Sequence, residues 1–322
     1  MIIAIVVCAL LLLVSIVLFP TWYISELAIS FPLYLALGYA FLAMIVWFVK
    51  KLHVKWLISW LFVVMAVYLG HMVSNFYGEG HDKGCSVALQ DVRLCTWSGL
   101  QVLFMNIRKN NYNYSGLLDT ITDHDPDVLM MVEYADHHDD ILASSLRANY
   151  PYSNRYSWSM KHIGTIVYSK YPINNLIDDY PQGGWRYGYF SVNYREVPYY
   201  IYMIHTSSPI TYVNFVMRNR QLGQIAQEYE LHRQKRWDDA RVLMVGDFNI
   251  TPWSVYYDRF VQQLDVSNAT RVFPVLFTWR IYRFPLFWTH IDQLFVRNIF
   301  VENLQSILIP GSDHRGYSFM MR

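Results

Sequence analysis

Asp247 and Asn249 stand two residues apart at the end of the apolar run RVLMVGDFN. Along an extended backbone they project to one side and Phe248 to the other. A carboxylate beside an amide at a strand end can hold a metal ion, or a water, against a phosphate. The plainer alternative is an Asx-type turn that closes the strand. The same kind of residue recurs at the ends of other apolar runs. Asn106 ends FMN, Glu133 ends VLMMVE and His205 ends YIYMIH. Asp292 sits in HIDQLF, and Asp313-His314 precede the final run in GSDHRGYSF. Taken singly, each reads as a cap, a turn or a satisfied core polar group. Six such places, all acid, amide or imidazole, are what strand ends converging on one rim of a sheet would supply.

Alternating strands and helices must carry these residues. Gln101 to Ile107 and Val128 to Val132 read as strands, with a helix from Ser115 to Thr122 between them. Ile141 to Ala148 is helical, and Ile163 to Tyr168 is a strand closed by SKYP. Tyr187 to Tyr194 and Tyr199 to His205 form a hairpin about REVP. Asn214 to Gln234 is a long helix with Phe215, Leu222, Ile225 and Tyr229 at helical spacing. Arg241 to Val245 is a buried strand, and a helix starts at Pro252. Thr289 to Val296 and Gly316 to Met321 complete the strands.

In this order, Asn106, Glu133, His205, GDFN, Asp292 and SDH resemble the motifs of the endonuclease/exonuclease/phosphatase superfamily. PDVLMMVE is similar to its metal-binding glutamate strand, and HIGTIVYSKYPI to its glycine-to-proline strand. The resemblance runs from about Gln101 to Arg322. It implies a four-layer α/β sandwich, two central sheets flanked by helices. It also implies Mg²⁺ or Mn²⁺ held by Glu133, with Asn106 and Asp313 nearby. Asp247 is then the base or orienter of an attacking water, and Asn249 a donor to phosphoryl oxygens. His205 and His314 stabilise developing charge, and Asp292 fixes the tautomer of His314. The pattern departs at Met105, Val132 and Gln293, where many members carry Trp, Gln, and His or Tyr.

The expected reaction is metal-assisted attack of water on a phosphoester. The substrate is a nucleic acid on one branch, a lipid or inositol phosphate on the other. A binding module that kept the fold and lost the chemistry is the rival reading. Beyond residue 75 acids exceed bases by one, so no overall basic footprint for nucleic acid exists.

Hydrophobic content is 54%, and the excess lies at the N-terminus. The first 75 residues hold four charged side chains, Glu26, Lys50, Lys51 and Lys55. Residues 2–19, 30–49 and 56–73 read as three transmembrane helices, and 76–100 as a linker to a catalytic domain at 101–322. The lysines between the second and third spans place that loop in the cytoplasm. The expectation is an integral membrane protein with its catalytic domain on the extracytoplasmic side and the lipid bilayer as a partner. Cys85 and Cys95 could then close a disulfide, two free thiols being the alternative. His137-His138-Asp139-Asp140 has a metal cluster's composition but reads better as a solvated helix start. Lys161 and His162 read as a surface turn, Arg218 and Arg220 as an exposed helix face. Phe273 to Trp288 is packed with aromatics and leaves three readings open: core, base stacking, or contact with the membrane interface.

Overall fold

A computed structural model describes residues 2–49, 53–78, 99–176, 186–236, 240–271, 276–281, 284 and 286–322. Cys85 and Cys95, and part of the aromatic stretch, lie outside the described residues. Four helices come first: α1 (Ile2–Leu18), α2 (Tyr23–Ile29), α3 (Pro32–Phe48) and α4 (Lys55–Gly78). The rest alternates: β1 (Leu100–Asn106), α5 (Tyr114–His124), β2 (Val128–Val132), α6 (Asp136–Leu146), β3 (Tyr152–Ser153), α7 (Trp158–Ile163), β4 (Ile166–Ser169) and β5 (Ile173–Asn175). Then follow β6 (Tyr187–Tyr194), β7 (Val197–His205), α8 (Tyr212–Arg236), β8 (Arg241–Asp247), α9 (Val255–Gln262) and β9 (Ser267–Asn268). The chain closes with β10 (Trp279–Arg280), β11 (Trp288–Thr289), β12 (Asp292–Arg297), β13 (Val301–Leu308) and β14 (Arg315–Met321).

Two mixed six-stranded sheets result, in the orders β13-β14-β1-β2-β4-β3 and β5-β6-β7-β8-β12-β9. Strand alternation sorts their side chains into layers. Val102, Phe104, Met203, Leu243, Val245, Leu294 and Phe319 face the slab between the sheets. Leu103, Met105 and Met131 face outward toward α5 and α6. Tyr202, Val242, Met244 and Phe248 face α8 and α9. This is the α/β sandwich the sequence implied.

The hairpin β6–β7 turns at Arg195 and Glu196, both with positive φ, as a two-residue turn between right-twisted strands requires. Helix α6 begins at Asp136, five residues before the expected start, because His138 is an internal cap and not a solvated residue. His138 is fully buried; its Nδ1 accepts from the Ala135 amide at 3.0 Å and its Nε2 faces the Asn111 carbonyl at 2.9 Å. Burial pulls its pKa down to about 4, so the ring stays neutral. Strand β4 begins three residues late because Trp158–Ile163 is helical, with Ser157 capping it and Gly164 ending it in the left-handed region.

Gly246 lies where no side chain fits: a Cβ there would stand 1.9 Å from the Ile204 carbonyl oxygen of the neighbouring strand. Gly246→Ala should therefore destabilise the fold by about 3 kcal/mol or more, the upper range of overpacking, because backbone cannot yield as a side chain can. The denaturation midpoint measures it; an unchanged midpoint would show that β7 and β8 can part.

Helices α1, α3 and α4 lie where spans were expected, but α2 was not foreseen. Among the described residues one helix, Lys55–Tyr77, is by length and composition long and apolar enough to cross a membrane. Helices α1 and α2 would pass only as a bent pair, at 100° to each other, and α3 has 17 residues, about 25 Å at 1.5 Å per residue. Among the described residues, hydrogen bonds between these helices and the sandwich come from one end of the bundle: Thr21, Tyr23, Glu26, Ser30, Tyr34, Phe76 and Tyr77. Lys55 opens α4 at the other end.

Candidate active site

The register gathers the polar residues. His205 pairs with Asp247 across β7–β8, and Asp247 with Asp292 across β8–β12. The three continue the inward-facing rows of Met203, Val245 and Leu294, at the end where the apolar core stops. Asn106 likewise continues the row of Val102 and Phe104 on the facing sheet. Glu133 breaks the pattern. Alternation after Val132 would turn it outward, but its φ of 59° is left-handed and swings it inward. Such backbone in a non-glycine residue costs energy and persists where the surroundings over-determine it. His314, just before β14, completes the group; the Ser312 hydroxyl accepts from its amide at 3.1 Å and donates to the Asn106 carbonyl at 2.7 Å.

Glu133, His205 and Asp247 each present a ligand atom within 4.8 Å of one another, and so do Asp247, Asp292 and His314. Asp247 belongs to both clusters. Asn106 bridges them: its amide nitrogen lies 3.1 Å from Glu133 Oε1, 3.2 Å from Asp247 Oδ2 and 3.3 Å from His314 Nε2. It thus donates to the two carboxylates, and ligating a metal, or accepting from a protonated His314, would require the amide to turn over. Asp313 stands apart from both clusters. Its carboxylate accepts from Trp279 Nε1 at 3.2 Å and lies 3.9 Å from Arg108 Nε. Asn249 is 7% exposed, with a φ of 49°. Its amide N–H donates to Asp247 Oδ1 at 2.9 Å, its side chain to the Thr206 carbonyl at 3.1 Å.

Charge and burial set the protonation states. Burial alone would raise the Glu133 carboxyl, but His205, the Lys109 amide, His314 and Asn106 together hold it below the usual carboxylate range. Burial, and then Asp292, push Asp247 well above that range. His205 is drawn down to about 4 by burial and by Arg186, so its ring is neutral at pH 7. Its Nδ1 lies 3.3 Å from the Ile163 carbonyl, to which the neutral ring donates, leaving Nε2 an acceptor. His314 goes the other way. Burial opposes its charge, yet Asp292, at 2.9 Å from Nδ1, and Asp247 push it up to about 10. It is an imidazolium through the neutral range.

The residues present fit a hard divalent cation. Two carboxylates and a free imidazole nitrogen converge, and Asp292 Oδ1 is buried without a hydrogen-bond partner among the described residues. Sequence reasoning missed Arg186. Its Nε donates to the His205 carbonyl at 2.8 Å, and Asp247 and Glu133 favour its charge against burial. It is thus a fixed cation beside the two carboxylates. No motif marks a lone arginine before a strand; only the pairing of β6 with β7 places it. Gln293, which departs from the superfamily pattern, is a structural bridge: it donates to the Ile250 carbonyl at 3.1 Å and accepts from Asn268 at 3.0 Å.

The aromatic stretch divides. Leu276 is buried in the inter-sheet core. Trp279 bridges to His314, and Trp288 lies under both Arg280 and Arg315 at 5.7 and 5.8 Å. Phe284, Leu286 and Phe287 are exposed.

A family model described as "Endonuclease/Exonuclease/phosphatase family" matches residues 102–314. Among solved structures, the chain is similar to D. rerio TDP2 complexed with single strand DNA product, at 16% identity and a TM-score of 0.56, covering 70% of this chain and 100% of that one. It is also similar to a doubly substituted beta toxin from Staphylococcus aureus with bound magnesium ions, at 15% identity and a TM-score of 0.52, covering 69% and 99%. SmcL matches at 18% identity and a TM-score of 0.52, covering 70% and 99%. At these identities the likeness is one of fold. No curated protein matches in sequence.

Proposed function

Since the chain belongs to the endonuclease/exonuclease/phosphatase family, we propose that it is a membrane-anchored, divalent-metal-dependent hydrolase of phosphodiesters, with its catalytic domain on the extracytoplasmic side. One observation carries the reading: two clusters of ligand-type side chains share Asp247. Glu133 and Asp247, with His205 and a turned Asn106, would hold Mg²⁺ or Mn²⁺. The ion would polarise the phosphorus centre and neutralise the leaving oxygen. Asp247, its Oδ1 held by the Asn249 amide at 2.9 Å, would orient the attacking water and accept its proton. The His314 imidazolium donates to a phosphoryl oxygen through Nε2, while Asp292 holds Nδ1. Arg186 adds a second fixed cation for the phosphate. The resemblance also assigns Asp313 to the metal. Its Oδ2 accepts from Trp279 Nε1, so Oδ1 is the oxygen that would serve an ion there.

Membrane anchoring is supported by long exposed apolar faces on α1, α3 and α4, including Ile3, Leu11, Leu37, Phe41, Trp60 and Val67. Lys55, at the end of the bundle far from the sandwich, and Lys50 and Lys51 just before it in sequence support an extracytoplasmic catalytic domain. Protease added to intact cells or spheroplasts should digest that domain; protection until the membrane is broken reverses the topology. Exposed Phe284, Leu286 and Phe287, beside Tyr34 of α3, favour a lipid phosphodiester over nucleic acid. The test is the purified full chain with Mg²⁺ on phospholipids, inositol phosphates, plasmid DNA and RNA. Turnover of a lipid phosphodiester is the expected result. Turnover of nucleic acid alone overturns the substrate class, and binding without turnover makes the chain a binding module.

A further inference from the structure

Side chains of the N-terminal helices run in hydrogen-bonded steps to two site residues. The first path starts at Glu26 on α2, the one acid among the first 75 residues. Glu26 is 5% exposed and Arg218 of α8 3% exposed, where the sequence suggested an open helix face. Glu26 Oε2 lies 3.5 Å from Arg218 Nη2 and accepts from the Ser254 hydroxyl at 2.6 Å. Arg218 is flanked by the rings of Phe215 and Tyr256 and donates through Nη1 to the Asn249 carbonyl at 2.8 Å. A guanidinium this deep requires a counter-charge, and Glu26 is its ion-pair partner. The second path starts at Tyr77 near the end of α4, whose hydroxyl is 2.8 Å from His290 Nδ1. His290 Nε2 faces the Tyr317 hydroxyl at 3.4 Å, and that hydroxyl donates to the Asp292 carbonyl at 2.8 Å. The bonds form one consistent chain. Tyr317 spends its proton on Asp292 and accepts from Nε2–H, so Nδ1 accepts from Tyr77.

We propose that the N-terminal helices are a working part of the active centre, with Glu26 and Tyr77 as positioning residues that hold Asn249 through Arg218 and Asp292 through His290 and Tyr317. The helices are then more than a tether. Asn249 sits in left-handed backbone, with Asp247, Thr206 and Arg218 each bonding one of its polar groups. Neutralising Glu26 leaves Arg218 a buried, uncompensated charge, and the turn that carries Asp247 and Asn249 loosens. The proposal rests on the reading of Asn249 and Asp292 as site residues, so its test includes a readout that needs no substrate.

The experiment compares the full chain, in nanodiscs, with Glu26→Gln and Tyr77→Phe, both close to the native shapes. Hydrogen–deuterium exchange is followed over residues 246–252, 290–294 and the core strand 100–105. Glu26→Gln should speed exchange over 246–252 by roughly tenfold and leave 100–105 unchanged, the signature of local rather than global opening. Tyr77→Phe should do the same over 290–294. On the best substrate of the panel, kcat for Glu26→Gln should fall by about tenfold with KM within about twofold, and Glu26→Gln combined with Arg218→Gln should be no worse than Arg218→Gln alone, since Glu26 acts through Arg218. Native exchange over 246–252 in Glu26→Gln overturns the proposal. So does a rise spread equally over 100–105, which makes the contact one of general stability. Altered local exchange in a chain whose wild type turns nothing over would sustain the positioning and refute the enzyme.

Discussion

Glu133→Gln should fold and fail to turn over. The carboxylate lies at the rim, partly exposed, and contributes no apolar area to either face of its sheet. Its Oε2 accepts from the Lys109 amide at 2.9 Å, a bond a glutamine oxygen can keep. What the glutamine cannot keep is the charge. His205, the Lys109 amide, His314 and Asn106 hold Glu133 ionised against burial. Losing that charge removes the anionic ligand for a cation worth several kcal/mol to the transition state, which is about 10³-fold or more in turnover. Saturating Mg²⁺ should not restore the rate. Steady-state turnover of the two proteins across a Mg²⁺ series measures this. Wild-type rates in Glu133→Gln would remove Glu133 from the metal.

His314→Ala should cost about 10²- to 10⁴-fold in turnover, the range for a lost acid or electrostatic stabiliser. The imidazolium exists because Asp292 pairs with Nδ1 at 2.9 Å and Asp247 lies 3.9 Å from Nε2. Asp292→Asn leaves the ring in place but removes the charge chiefly responsible for protonating it, so its loss should be smaller yet of the same kind. The two residues act as one unit, and the double variant should be little worse than His314→Ala. The orphan Asp292 Oδ1 offers the alternative: an independent role as a ligand. Rates for the four proteins on one phosphodiester separate the cases, because independent roles multiply and a shared role does not.

Most of this site was legible in the sequence because its residues lie where apolar rows end. A row of period two that stops in Asn106, His205, Asp247 or Asp292 declares both the strand and the face. Glu133 was legible only through its motif, since alternation pointed it the wrong way and a left-handed φ corrects it. Arg186, Arg218 and His138 were not legible. Charged or titratable side chains on a helix or before a strand read as solvated unless a partner is known. The partners of the two arginines lie far off in sequence: Glu26 for Arg218, and Asp247 for Arg186. Helix α2 was missed for the same reason. Seven residues between two apolar runs carry no periodicity of their own, and its purpose appears only when Glu26 meets Ser254 and Arg218.

The central claim is that the shared cluster is a metal-dependent hydrolytic centre. The most direct measurement is hydrolysis of a simple phosphodiester, bis(p-nitrophenyl) phosphate, by the full chain stripped of metal by chelation and then titrated with Mg²⁺ or Mn²⁺. The account predicts no turnover in the stripped protein and saturable recovery with either ion, absent in Glu133→Gln. Turnover that survives chelation, or that Glu133→Gln recovers equally, would contradict it.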